Sequence, residues 1–334
     1  MTNIAKLTGA LLLATALTAC AESAEDTAPV CDRDCLIELT NNYVASLETQ
    51  DASGVTFSDE VRIVENLQRI NAGEGLWAET TGPSTDFSVV VPDEANQTAG
   101  WIGMVEREGV PTVVALRLKL DQAGSIVEAE HLYAEVPEER VEATLTNVRA
   151  GLTAEVAEDA RMDRAGLITI GDSYYDALDD NDGTLTPFAA DCQRHENGMI
   201  TAGPEAVGGF NPDGPPIAQD CEAQLSSKVM SYITSIDNRR VFAADPVTGL
   251  VMGLSHFHHP MDFEPYEVTA TDGTIELYET GDEMQFEPFD LPAAHIYKVG
   301  ADGLVHEIEA MGFRAELDAP TVWEDRAGEE TAAE

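Results

Sequence analysis

Residues 32–66, DRDCLIELTNNYVASLETQDASGVTFSDEVRIVEN, and residues 163–197, DRAGLITIGDSYYDALDDNDGTLTPFAADCQRHEN, align without a gap at a shift of 131. Ten of the 35 positions are identical: Asp, Arg, Leu, Ile, Tyr, Leu, Asp, Phe, Glu and Asn. A second pair follows at a shift of 179, where ALRLKLDQAGSIVEAE (115–130) overlies AHIYKVGADGLVHEIE (294–309) and keeps a Lys, a turn Gly and two Glu. The change of shift places 48 extra residues in the middle of the second stretch. The chain reads as one fold written twice.

Periodicity indicates what that fold is. Leu36, Ile37, Tyr43 and Leu47 recur near helical spacing, and Leu167, Ile168, Tyr174 and Leu178 repeat the stripe. The run DDNDG ends the second helix with turn chemistry. A short strand bearing Glu-Asn follows in each copy. Each copy then closes with alternating strands and tight turns: 100–133 in the first, and GLVMGLSHFHHP (249–260) with AAHIYKVGADGLVHEIEAMGF (293–313) in the second. A further helical stretch is expected over Cys221–Ile233. The expected class is α+β, with helices on a curved antiparallel sheet, in tandem. The first copy spans 31–134, a polar helical linker 135–162 and the second copy 163–317. Residues 318–334 read as an acidic tail.

The N-terminus, MTNIAKLTGALLLATALTAC, has one lysine and an apolar run from Leu7 to Ala19. That run is shorter than the roughly 20 residues needed to span a bilayer, and it fits the hydrophobic part of an export signal. Leu17-Thr18-Ala19-Cys20 resembles the lipobox of bacterial lipoproteins. The resemblance implies acylation at Cys20, a signal over 1–20, a polar tether over 21–30, and a lipid-anchored location in the periplasm or on the cell surface, at the outer membrane.

The chain has 334 residues, a hydrophobic fraction of 43% and a net charge of −44. It is rich enough in apolar residues to build cores. Its only lysines are Lys6, Lys119, Lys228 and Lys298. Such a surface repels phosphate backbones, so nucleic acid is excluded as a partner. Anionic lipid headgroups are repelled too, and attachment to a membrane must come from the lipid. The acidic balance suits a salt-rich habitat, where screening reduces self-repulsion. Apart from Cys20, the cysteines are Cys31, Cys35, Cys192 and Cys221. An even number in an exported chain points to disulfides with three possible connectivities. Cys31–Cys35 and Cys192–Cys221 is favoured, because an i, i+4 pair shares a helix face.

The stretch YYDALDDNDGTLTPFAADCQRHENG (174–198) resembles the opening of NTF2-like domains, the SnoaL-like branch in particular. The whole chain is also similar to uncharacterised secreted fungal and bacterial proteins in which CDRDCL, HENG and an LVMGLSHFHHP-type strand occur. The resemblance covers about residues 31 to 317. It implies two tandem cones of helices on a curved sheet, a small-molecule pocket, and a monomer whose two copies replace a homodimer. For activity it implies little, since these cones host isomerases, dehydratases, hydrolases, cyclases and binding modules.

The two copies differ in chemistry. Against Val64, Glu106, Leu116, Leu118 and Val127 of the first, the second sets His195, His256, His295, Tyr297 and His306, and it holds six of the seven histidines. Leu116, Leu118 and Leu120 alternate with Arg117 and Lys119, so the leucine face is expected to be buried. His295 and Tyr297 then replace buried leucines and are the strongest pocket residues. If Ile102 and Met104 mark the inward face of the first copy, His256 and His258 line the cone. Glu65 shares a face with Val61 and Ile63, which turns Glu65 and Glu196 inward. One expectation is cofactor-independent acid–base chemistry of a lyase, isomerase or dehydratase. His195 or His256 would be the base, with His295 beside them. Tyr297, Tyr174 or Tyr175 would donate, Asp172 or Glu196 would orient, and Asn197 and His258 would complete the ligand contacts. Another is a non-catalytic binder of a ligand or partner. A metal site from His195, His256, His258 and His295 is a further reading, against which stands the lack of any tight motif. No metal and no cofactor is expected. VGGFNPDGPPIAQD (207–220) reads as a loop that either lids the cone or runs over the surface.

Overall fold

Each half begins with a capped helix because an aspartate precedes it. In the computed structural model, which describes residues 30–83, 85–204, 206, 220–279 and 287–323, the Asp32 carboxylate accepts from the Cys35 backbone N–H at 2.9 Å. Asp163 does the same for Gly166 at 2.8 Å. Both fill donors that a helix start leaves unpaired. The lipobox with Cys20, most of the 207–220 loop and the tail from 324 onward lie outside the described residues.

In the first half, α1 (Arg33–Glu48) is followed by β1 (Phe57–Glu65), β2 (Gln68–Ile70), one turn of α2 (Leu76–Glu79), β3 (Thr80–Gly82), β4 (Ser88–Asp93), β5 (Thr98–Arg107), β6 (Val110–Leu120) and β7 (Ile126–Glu135). The short helices α3 (Glu138–Thr144) and α4 (Ala150–Thr153) lead to α5 (Arg164–Asp179). The second half continues with β8 (Phe188–Glu196), β9 (Met199–Ala202), α6 (Cys221–Ser226), β10 (Ser235–Asp245) and β11 (Leu250–His259). It ends with the hairpin β12 (Tyr266–Thr269) and β13 (Ile275–Tyr278), then β14 (Phe289–Val299) and β15 (Val305–Gly312). The class is α+β, with helices against curled mixed sheets.

The first sheet runs β2-β1-β7-β6-β5, with β3 and β4 both paired to β5; the second runs β9-β8-β15-β14-β11-β10. In each, one parallel pair joins the strand after the helix to the last strand: β1 with β7, and β8 with β15. Register aligns the halves residue by residue. Thr98 pairs with Lys119 in one, and Leu250 pairs with Lys298 in the other. The 48 extra residues therefore enter at two places, 21 before β10 and 27 between β11 and β14. The later insertion carries the β12–β13 hairpin. The same register pairs His256 with Pro292 where Met104 pairs with Val113, so the counterpart of His256 is Met104 and not Glu106.

The central strands β5, β11 and β14 are buried on both faces. Inner faces pack under the helices: Leu36, Tyr43, Leu116 and Leu118 in the first half, and Leu167, Tyr174, Val251 and Tyr297 in the second. The outer faces of the two sheets pack on each other through Ile102, Met104, Val113 and Ala115 against Met252, Leu254, Ala294 and Ile296. Two ion pairs cross this junction reciprocally. Arg33, next to the cap of α1, reaches the buried Asp245 of the second half at 2.9 Å, and Arg164, next to the cap of α5, reaches the buried Asp93 of the first at 2.7 Å. The repeated Asp-Arg dipeptide thus caps a helix and fastens it to the other half.

Both favoured disulfides, Cys31–Cys35 and Cys192–Cys221, are present. Three boundaries differ from expectation. The stretch after Cys221 is a helix only to Ser226 and continues as turns. The 135–162 linker is not simply polar, because Leu145 and Leu152 bury completely in the junction. The tail is packed as far as Trp323, whose ring lies 4.7 Å from the Arg62 guanidinium.

Candidate functional site

The Glu-Asn pair that ends β1 and β8 does two jobs. The Asn side chains are clamps. Asn66 and Asn197 adopt left-handed backbone, with φ of 41° and 46°. Each then exchanges two hydrogen bonds with the parallel neighbour strand: Asn66 with Tyr133 at 2.9 and 3.1 Å, and Asn197 with Gly312 at 2.8 and 3.1 Å. Asn197 is therefore a structural residue and makes no contact in the cavity. The Glu side chains turn inward, and there the halves part.

In the first half Glu65 accepts from His131 Nδ1 at 2.9 Å, while His131 Nε2 meets the Tyr43 hydroxyl at 2.8 Å. The Trp77 ring packs 5.3 Å from the imidazole. This chain of groups is wholly buried and fills the space under α1. His131, the one histidine of the first half, was missed by a search for chemistry confined to the second.

In the second half the residue at the position of His131 is Ala310, and a cavity of about 50 Å³ opens there. Its polar groups are Arg194, Glu196, Tyr232, His259 and His295; Phe257, Met230, Ala293 and Ala310 supply apolar wall. Arg194 bonds Glu196 at 2.6 Å and Thr201 at 2.8 Å, while its buried Nε makes no hydrogen bond of ordinary geometry. Burial opposes the Arg194 charge, but Tyr174 and Glu196 outweigh it and raise its pKa, so the guanidinium stays charged. Burial, aided by the Arg194 charge, pushes His295 down to about 3. Burial likewise lowers His259 to about 4. Both imidazoles are neutral at physiological pH. The Tyr175 hydroxyl stands 3.4 Å from His295 Nδ1, and burial pushes it up to about 12. Tyr174 packs tilted against the same imidazole at 5.5 Å, and Tyr297 lies parallel to it at 6.0 Å. The site is a polar-headed recess that holds the Arg194–Glu196 ion pair beside neutral imidazoles and tyrosines.

His295, Tyr297, Tyr174, Tyr175 and Glu196 thus come together under α5. Besides Asn197, four expected residues do not. Asp172 is exposed on α5. His195 faces the outer side, 3.4 Å from Arg149 of the linker, and burial with that guanidinium lowers it to about 3. His256 and His258 also face outward, because Met252 and Leu254, which share their side of β11, belong to the junction. The premise failed at Ile102 and Met104, which are junction residues and not cone lining. The four-histidine cluster is accordingly split three ways. A wider open groove of about 910 Å³ lies near Asp93, Asn96, Lys119 and Arg164. Four of its polar groups are paired, Asp93 with Arg164 and Lys119 with Asn96.

The architecture so defined is an α+β protein with a part-polar recess beneath the second helix. Residues 160–312 match a family described as a domain of unknown function, DUF8021. The match covers the second half of the molecule, from before α5 to the end of β15, and less than half of the chain. No curated protein matches the sequence.

Proposed function

We propose that this is an exported, lipid-anchored binding protein of tandem NTF2-like architecture. In this reading the first cone is a strut, the second holds a small molecule, and the fused pair acts as a monomer. The observation that carries the proposal is the exchange of His131 for Ala310, which leaves room beside a buried, charged Arg194. The guanidinium suits a carboxylate or carbonyl oxygen, and Phe257 and Met230 suit a short apolar group attached to it, of the size that a cavity of about 50 Å³ admits. The lipobox-like LTAC at 17–20 supports export; among the described residues no helix is long and apolar enough to cross a membrane. Binding fits better than catalysis because an imidazole held near 3 is a poor base at neutral pH. The second reading, a cofactor-independent lyase, isomerase or dehydratase, rests on Glu196, whose half-buried carboxylate borders the recess.

Native mass spectrometry of chain expressed in a periplasm, followed by thermal shifts with a panel of small carboxylates, tests the proposal. The expected outcome is an adduct or a stabilising compound for the wild type that A310L, which refills the recess, no longer takes. Undiminished binding by A310L overturns the assignment of the site. Turnover lost in E196Q with binding retained would favour the second reading.

A further inference from the structure

On the side of β11 turned away from the recess, His256 and His258 stand two residues apart on one face, their rings stacked at 5.2 Å. The neighbouring strand β14 places Asp290 opposite His258 in register. Asp290 has no solvent exposure. One of its oxygens accepts from His256 Nε2 at 3.0 Å, and the other lies 2.9 Å from His258 Nδ1 without forming a hydrogen bond of ordinary geometry. A buried carboxylate whose oxygen is aimed at an imidazole nitrogen without bonding it needs a cation between them or a proton on the ring.

We propose that His256, His258 and Asp290 bind one borderline divalent transition-metal cation of the zinc class. The three ligand atoms all lie within 4.8 Å of one another. Donors around a tetrahedral ion at about 2.1 Å sit about 3.4 Å apart. To admit it, the two short contacts must open by about half an ångström and the widest pair must close by up to about 1.4 Å, movements within reach of side-chain torsions. Two imidazoles and one carboxylate form the donor set these ions favour, with a position left for water. His258 carries the outer contact such a ligand uses: its Nε2 lies 3.0 Å from Asp237 Oδ2 on β10, while Nδ1 faces the site. This is the solvent side of the site, with the Asp237 side chain 60% and His258 21% exposed. The backbone N–H of Ala319 donates to Asp290 at 3.2 Å, so the ion also pins the C-terminal segment to the sheet. The site lies on the face of β11 opposite to the recess.

The test is titration of the chelator-stripped full chain with Co²⁺, read by its visible absorption, and competition by Zn²⁺. The expected result is one equivalent with four- or five-coordinate bands, and at least a tenfold loss of affinity in H258Q and D290N. His306 lies between Asp191 and Asp302 elsewhere on the surface, and H306Q is expected to bind as the wild type does. If D290N does not fold, H258Q decides, because its side chain is partly exposed. No saturable band at one equivalent, or a band kept in H258Q and lost in H306Q, overturns the proposal.

Discussion

A single imidazole shows how far burial governs chemistry in this molecule. His131 sits between a hydroxyl and a carboxylate and is held by both, whereas His295 sits among tyrosines beside Arg194 and is held neutral. The sign of the pH effect follows for His295. Its folded pKa is depressed, to about 3, below the ordinary value of 6.5. The neutral form contributes in full above pH 6.5 and loses its contribution as pH falls from 6.5 toward 3. Urea unfolding should therefore show the stability difference between wild type and H295F shifting against the wild type by about 2 kcal/mol between pH 7.5 and 5. A difference that does not change with pH would mean that the imidazole titrates normally.

Among the elements, legibility depended on whether a strand had a polar face. On β6, Arg117 and Lys119 alternate with leucines, so the inward side was readable, and it carried His295 and Tyr297 on β14 correctly. On β11 both faces are buried, one under α5 and one in the junction. Alternation there says nothing about direction, and the side of His256 was assigned wrongly. Splitting the 48 extra residues between two sites also hid the true register. Asp290 gave no local signal as a partner of His256, since the pairing comes from the neighbouring strand. The capping aspartates and both disulfides, being local, were readable. The disulfides should differ in weight. Cys192–Cys221 ties β8 to α6 across 29 positions, and Cys31–Cys35 spans only four. Chain-entropy arguments give about 3.6 kcal/mol for the longer loop and about 2 kcal/mol for the shorter. Denaturant unfolding of C192S/C221S against C31S/C35S measures the order, and a larger loss for the short loop would contradict it.

At the scale of the whole molecule, the −44 charge acts against the packing of two sheets. The arginines near the junction are spent on buried carboxylates, Arg33 on Asp245, Arg164 on Asp93 and Arg240 on Glu130. The surface is left acidic, and its self-repulsion is screened over about 10 Å at 0.1 M salt and about 3 Å at 1 M. The melting temperature at pH 7.5 should rise between 0.05 and 1 M NaCl. A fall would show that the ion pairs outweigh the surface repulsion.

The reciprocal Arg33–Asp245 and Arg164–Asp93 contacts are arranged as the contacts across the axis of an isologous dimer are. In a dimer of identical chains, one codon serves both sides of the axis, and any substitution lands twice. Two halves on one chain are free of that rule. An alanine at 310 opens one interior without hollowing the other, where His131 remains as a filler. Covalent joining thus releases the second half to acquire a recess while the first keeps the scaffold intact.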